Sequence, residues 1–223
     1  MAGKRIKVYL EVADKKTFAV ALDWPGWARS GKTGDEALAA LAEYAPRYRK
    51  VIRSTDYSIP EGEPTFTVVE KVKGNATTEF GAPAAFVDAD GKRVTQADAE
   101  RTAALVRACW RAVDKQAKKS PSALRKGPRG GGRDRDKMLD HLVSTEAAYA
   151  RKVGVKHKAP DFDDAKAIKA MREDILDVIG NRSNGKKPVG KGWPVAYTAR
   201  RIAWHATDHA WEMEDRSSPK KRS

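Results

Sequence analysis

Cysteine is almost missing from this 223-residue chain: Cys109 stands alone, which excludes an internal disulfide framework and any cysteine-rich zinc module. Long hydrophobic runs are missing too. No stretch approaches the roughly 18 apolar residues of a membrane helix. Met1-Ala2-Gly3-Lys4-Arg5 leads only into a short alternating segment, so no secretory signal is expected and the reducing cytosol is the expected compartment. Histidine is scarce, with four residues, so their positions carry information. What is present suffices for a core: 40% of residues are hydrophobic, which argues against wholesale disorder. The length suits one large domain or two small ones at roughly 100–200 residues each.

The net charge of +14 is unevenly spread. Residues 115–137 carry a net +7 and residues 216–223 add four basic side chains without an acid, so these two segments hold 11 of the 14 excess charges. A basic loop and a basic tail read as solvated chain. Weak, salt-sensitive and non-specific binding of polyanions through these two segments is the expected consequence.

The N-terminal part reads as a small α/β unit. Ile6, Val8, Leu10 and Val12 alternate with Lys7, Tyr9 and Glu11, the period of a half-buried strand. Asp14-Lys15-Lys16 turns into a second strand from Thr17 to Leu22, which Trp24-Pro25-Gly26 breaks. Thr33 or Gly34 caps a helix from about Asp35 towards Arg53, with Leu38, Leu41, Ala42 and Ala45 inward and Pro46 ending or kinking it. Thr65 to Val72 is β-branched and reads as a returning strand.

Residues 94–216 read as four helices. Their spans are about Thr95–Lys119, Arg133–Lys152, a third introduced by Pro160 and the Asp residues at 161, 163 and 164, and Val195–Arg216 after Pro194. Gly130-Gly131-Gly132 and the segment from Asn181 to Gly192 are the loops between them. Four amphipathic helices of about 20 residues imply a four-helix bundle. The expected fold is therefore α+β. Residues 1–93 form an α/β domain with its connection, 94–216 the bundle and 217–223 a basic tail.

Three of the four histidines are informatively placed. His205 and His209 are four apart, about 40° around a helix, on the face that also carries Thr198, Ile202 and Met213. His141 belongs to the inward stripe Met138, Leu142, Thr145 and Tyr149. Burying three imidazoles together is costly without a shared cation or a hydrogen-bond network. Neutral imidazoles suit zinc, nickel or another late divalent metal, with positions left for water or substrate. His157, in the loop Val155-Lys156-His157-Lys158, reads as a solvent residue. Cys109 lies on the apolar side of its helix and reads as core. Trp204 and Trp211, seven apart, read as contacts between the two parts of the chain.

Two resemblances add to this reading. Ala19-Val20-Ala21-Leu22-Asp23-Trp24-Pro25-Gly26, followed by Gly31-Lys32-Thr33-Gly34-Asp35-Glu36-Ala37-Leu38, resembles the HicB-like antitoxin fold over about residues 5–72. The resemblance implies a partial ribonuclease-H-like ββαβ unit. Arg200-Arg201-Ile202-Ala203-Trp204-His205-Ala206-Thr207-Asp208-His209 and the residues on to Arg216 resemble the last helix of the DinB-like superfamily. Asp140-His141-Leu142 with Glu146 and Tyr149 is similar to its second-helix motif. This second resemblance implies a four-helix bundle over about residues 95–216, in an up-down-down-up order, with a divalent metal on His141, His205 and His209.

Superfamily relatives include thiol-dependent S-transferases and a mycothiol-dependent maleylpyruvate isomerase. The resemblance thus implies a metal-dependent thiol transferase or isomerase using a low-molecular-weight thiol such as mycothiol, with a small thiol or electrophile as partner. Asp208 and Glu212 are candidates to hold the imidazoles of the metal ligands, or else are solvated or pair with Arg201 or Arg216. The other reading is non-enzymatic. In it a structural metal stabilises a stress-response or interaction protein whose HicB-like module meets a partner.

Overall fold

The computed structural model describes residues 5–127 and 131–217. Within them the protein is α+β, with one four-stranded mixed sheet and seven α-helices. Residues 128–130 of the basic loop and 218–223 of the basic tail lie outside the described residues. No helix among the described residues is long and apolar enough to cross a membrane.

Strands β1 (Ile6–Val12) and β2 (Thr17–Ala21) form the expected hairpin, closed by a hydrogen bond from the Ala13 N–H to the Lys16 carbonyl. A third strand, β3 (Ala28–Gly31), follows the Pro25-Gly26 turn and was not expected. It has four residues and no apolar alternation, so only its pairing with β2 makes it a strand. Helices α1 (Gly34–Glu43) and α2 (Ala45–Ile52) replace the single long helix, with Pro46 in the first turn of α2. Thr33 caps α1 by accepting from the Glu36 N–H. Strand β4 (Phe66–Lys73) returns parallel to β1, giving the order β3-β2-β1-β4.

The alternation in β1 predicts a half-buried strand, and here the structure differs. Both faces are covered. Val8, Leu10, Ala19 and Ala21 pack with α1 and α2, while Tyr9, Phe18, Val20 and Ala28 pack with Trp204 and Val87. Glu11, one of the residues that alternate with the apolar positions of β1, is fully buried. Its carboxylate accepts from the Thr78 hydroxyl and from the Ala84 and Ala85 N–H groups. A buried carboxylate is tolerable only with such donors around it. They come from the connection after β4, which contains α3 (Ala76–Phe80) and a 3-10 turn (Asp88–Gly91).

The long helices are α4 (Gln96–Lys119), α5 (Arg135–Arg151), α6 (Ala165–Ile179) and α7 (Val195–Ser217). Thr95 caps α4 and Asp164 caps α6 through their side-chain oxygens. Helix α7 is the central one: from Tyr197 to Met213 only Asp208 and Glu212 escape full burial. It meets α4, α5, α6 and the 3-10 turn, and the core runs without a break from the sheet through α1 and α2 into these helices.

The Pro25-Gly26 turn shows how closely the halves meet. Gly26 has φ +93°, its carbonyl accepts from the Thr207 hydroxyl at 2.7 Å, and a Cβ there would lie 2.7 Å from Cys109 Sγ. Only glycine fits both the backbone and the space. Trp204 meets Phe18 edge-on and Trp211 meets Tyr44, so both tryptophans of α7 touch the N-terminal part. Cys109 is buried in this core, and its burial pushes the thiol far above the usual range.

Candidate metal centre

The i, i+4 spacing on α7 and one position on α5 bring three imidazoles to a common point. His205 Nε2 lies 3.2 Å from His141 Nε2 and 3.1 Å from His209 Nε2. Among the described residues the three form one group of potential ligands within 4.8 Å, without a cysteine, aspartate or glutamate as a fourth member. Nitrogens bound at about 2.0–2.1 Å stand about 3.3–3.4 Å apart around a tetrahedral ion and about 2.9 Å apart at right angles. The observed separations fall between these values, so the cluster can hold a metal ion.

The electrostatics favour the neutral ligand form of His205 and His141. His205 is buried, and burial followed by its histidine neighbours holds its pKa well below the usual imidazole range. Burial also lowers His141, with the Arg133 and His209 charges acting in the same direction. His209 Nδ1 lies 3.0 Å from Glu212 Oε2. A carboxylate accepts, so Nδ1 carries a proton, and Nε2 is the ring nitrogen turned into the cluster. Burial acts to raise the Glu212 pKa, but His209 and Arg216 outweigh it and keep the carboxylate below its ordinary value.

A short relay stands behind His209. Arg216 Nη1 donates to Glu212 Oε1 at 2.6 Å, and Arg216 Nε donates to the Arg125 carbonyl at 2.7 Å. Gly132, at φ +109°, lies so close to the Arg216 guanidinium that a Cβ would come within 2.8 Å of it. Gly132 therefore leans on the residue that holds Glu212. On the other side of the cluster, the Tyr149 ring lies 6.0 Å from the His205 ring and its hydroxyl accepts from Arg201 Nε at 3.1 Å.

The remaining candidates are placed elsewhere. Asp208 turns away from the imidazoles and pairs with Arg29 of β3 at 3.1 Å, rather than with Arg201 or Arg216. Arg201 instead donates to the Pro83 carbonyl. Glu146 takes no part in the cluster: it is fully buried and holds Arg172 through both oxygens, at 3.0 and 3.1 Å. His157, read as a solvent residue, is half-buried and lies 2.7 Å from Asp174. Neither ion pair has a local signature, since the partners sit 26 and 17 positions apart.

Compared with protein families, with curated proteins and with solved structures, the chain matches none of them.

Proposed function

We propose that the protein is a metal-dependent enzyme of thiol chemistry, an S-transferase or isomerase that uses a low-molecular-weight thiol such as mycothiol. A divalent ion, zinc or nickel, is held by His141, His205 and His209. The observation that carries this reading is the convergence of three Nε2 atoms without a fourth cysteine or carboxylate among the described residues. A site with three protein ligands leaves room for a reactant, whereas structural zinc sites are filled by four. The similarity of the sequences around His141 and His205–His209 to DinB-like motifs supports the same assignment.

When bound, the ion supplies the positive charge that lowers the pKa of a thiol at the open position. The chain's own residues prepare that position. Glu212 keeps the proton of His209 on Nδ1, and Arg216 keeps Glu212 in place. Burial keeps His205 and His141 neutral and ready to donate their lone pairs. His141, the most exposed of the three, marks the side on which a solute reaches the cluster.

The test is metal analysis of the purified protein followed by thiol-transfer assays with mycothiol and other small thiols. The expected result is one ion per chain, thiol-dependent turnover that chelation abolishes, and recovery on adding zinc or nickel. A different outcome supports the structural reading, because the ligands tie α5 to α7: an ion is bound, chelation lowers the melting temperature sharply, and no thiol turns over. A protein that binds no ion overturns both.

A further inference from the structure

On the side of α7 opposite its histidines, a groove of about 450 Å³ opens between α2, α4 and α7. Its floor is apolar, with Val51, Ala108, Ala112 and Ala210. Its walls are cationic. Arg47, Lys50 and Arg53 follow one another along α2 and its C-terminal cap, and Arg111, Lys115 and Lys119 line α4. Glu214 is the one acid in the lining, and Arg47 is engaged by Glu214 and Asp215 at 2.5 and 3.0 Å. Arg111 donates to the Ser54 hydroxyl. Lys50, Arg53, Lys115 and Lys119 are exposed and have no ion-pair partner among the described residues.

The spacing on α4 forms a ladder. Arg111, Lys115 and Lys119 are successive i, i+4 positions, so their charges recur about every 6 Å over about 12 Å. Lys50 and Arg53 on α2 face this row across the apolar floor, so cations line both walls. Charges repeated at this interval between two cationic walls fit a chain of regularly spaced anions better than a small solute. A cavity of about 450 Å³ between the two walls has room for a stretch of one strand and not for a duplex.

We propose that this groove seats a single-stranded polynucleotide by its phosphate backbone, with Lys50, Arg53, Arg111, Lys115 and Lys119 as the contacting residues. Binding is sequence-tolerant, because phosphate contacts position a strand without reading it. Trp211 is buried against Tyr44 and offers no free face to a base. The site is separate from the histidine cluster and does not depend on its occupancy.

The experiment uses the full chain and the fluorescence anisotropy of a labelled thymidine oligomer of about 20 nucleotides, titrated at several salt concentrations. Each neutralised phosphate on a single strand contributes about −0.7 to the slope of log affinity against log salt. The variant Lys50→Gln/Arg53→Gln/Arg111→Gln/Lys115→Gln is expected to bind at least about tenfold more weakly, with a slope shallower by about 2.8. The comparison variant Arg93→Gln/Arg182→Gln/Lys186→Gln/Lys187→Gln removes the same charge elsewhere and is expected to stay within about threefold of the parent. Arg53→Lys/Arg111→Lys keeps the charge and is expected to keep the affinity. Equal losses in the two Gln variants would show a response to net charge alone and overturn the proposal. So would a duplex of the same length, or polyglutamate, that binds as tightly as the single strand.

Discussion

Helix α5 contributes to two buried polar clusters five residues apart, and they are built on opposite terms. At Glu146 every strong group has its partner: Arg172 of α6 bridges Glu146 and Asp114 of α4 with bonds of 2.9–3.1 Å. All four carboxylate oxygens accept from the one guanidinium, and the cluster is closed. At His141 three nitrogens converge, one ring is held by Glu212, and His205 Nδ1 is buried without a hydrogen-bond partner among the described residues. Among the described residues no lysine or arginine hydrogen-bonds the three rings. A complete network fixes helices in place, whereas a convergent and incomplete one can take up an ion. The sharpest experiments pull these two clusters apart.

The largest effect is expected at the closed cluster. Arg172→Ala leaves Glu146 buried beside no cation, and breaking a buried pair in this way costs about 3–5 kcal/mol of stability. Denaturant unfolding measures it. Replacing Glu146 and Arg172 together by leucine is expected to recover most of that loss, because an apolar pair needs no compensating charge. A loss below about 1 kcal/mol for Arg172→Ala would mean that the pair is solvated rather than buried.

At the open cluster the expected order is reversed: ligand binding suffers more than folding. His205→Ala and His209→Ala are each expected to abolish stoichiometric metal binding, read by elemental analysis after dialysis. The metal-free fold should lose only about 1–2 kcal/mol, in the range of an ordinary substitution. Retention of the ion at parent stoichiometry in either variant would place the metal elsewhere. Glu212→Ala acts one step back and is expected to weaken affinity by about 10–100-fold, measured by competition with a chromophoric chelator. Unchanged affinity would mean that Glu212 serves only Arg216.

Acid should separate the clusters as well. His141 and His205 are held below the usual imidazole pKa by burial, so the unfolded chain binds more protons than the metal-free folded protein below the unfolded value of about 6.5. Stability of the metal-free protein should therefore fall as pH drops from about 7 through the unfolded pKa. It should level off once pH is below the folded values. Thermal melts of the metal-free parent between about pH 7 and 5 test the sign, and a His141→Gln/His205→Gln variant should flatten the profile. A parent curve that rises towards acid would contradict the buried neutral state.

The parts of the molecule that were legible in the sequence are those with a local period. The apolar alternation of β1, the four long helices and the converging histidines all follow from spacings of two, three or four residues. The parts that were not legible depend on residues distant along the chain. Glu11 sits where alternation points to solvent, and only the crossing of the connection through Thr78, Ala84 and Ala85 buries it. Strand β3 is too short to show a period. Glu146 reads like part of the histidine motif until Arg172, 26 positions away, is seen to claim it. Asp208 and Glu212, four apart on one helix, looked interchangeable as carboxylates for the site. Their fates differ because α7 presents one to β3 and the other to the imidazoles.

That difference between Asp208 and Glu212 yields the smallest predicted effect. The Arg29–Asp208 pair is partly exposed, with 24% and 36% of the side chains accessible, so solvent screens much of its attraction. A double-mutant cycle with Arg29→Ala and Asp208→Ala should return a coupling of about 0.2–1 kcal/mol. Arg29→Ala alone should cost somewhat more, because its guanidinium also lies 3.9 Å from the centre of the Tyr44 ring. Asp208→Ala should leave metal affinity within about twofold of the parent, in contrast to the about 10–100-fold expected for Glu212→Ala. Asp208 is only one residue from a ligand, so proximity in sequence alone would assign it to the centre. If Asp208→Ala weakens the metal as much as Glu212→Ala, the charge of the whole α7 segment governs the site. If only Glu212→Ala does, a single hydrogen bond to Nδ1 distinguishes a carboxylate that supports the metal from one that fastens α7 to the sheet.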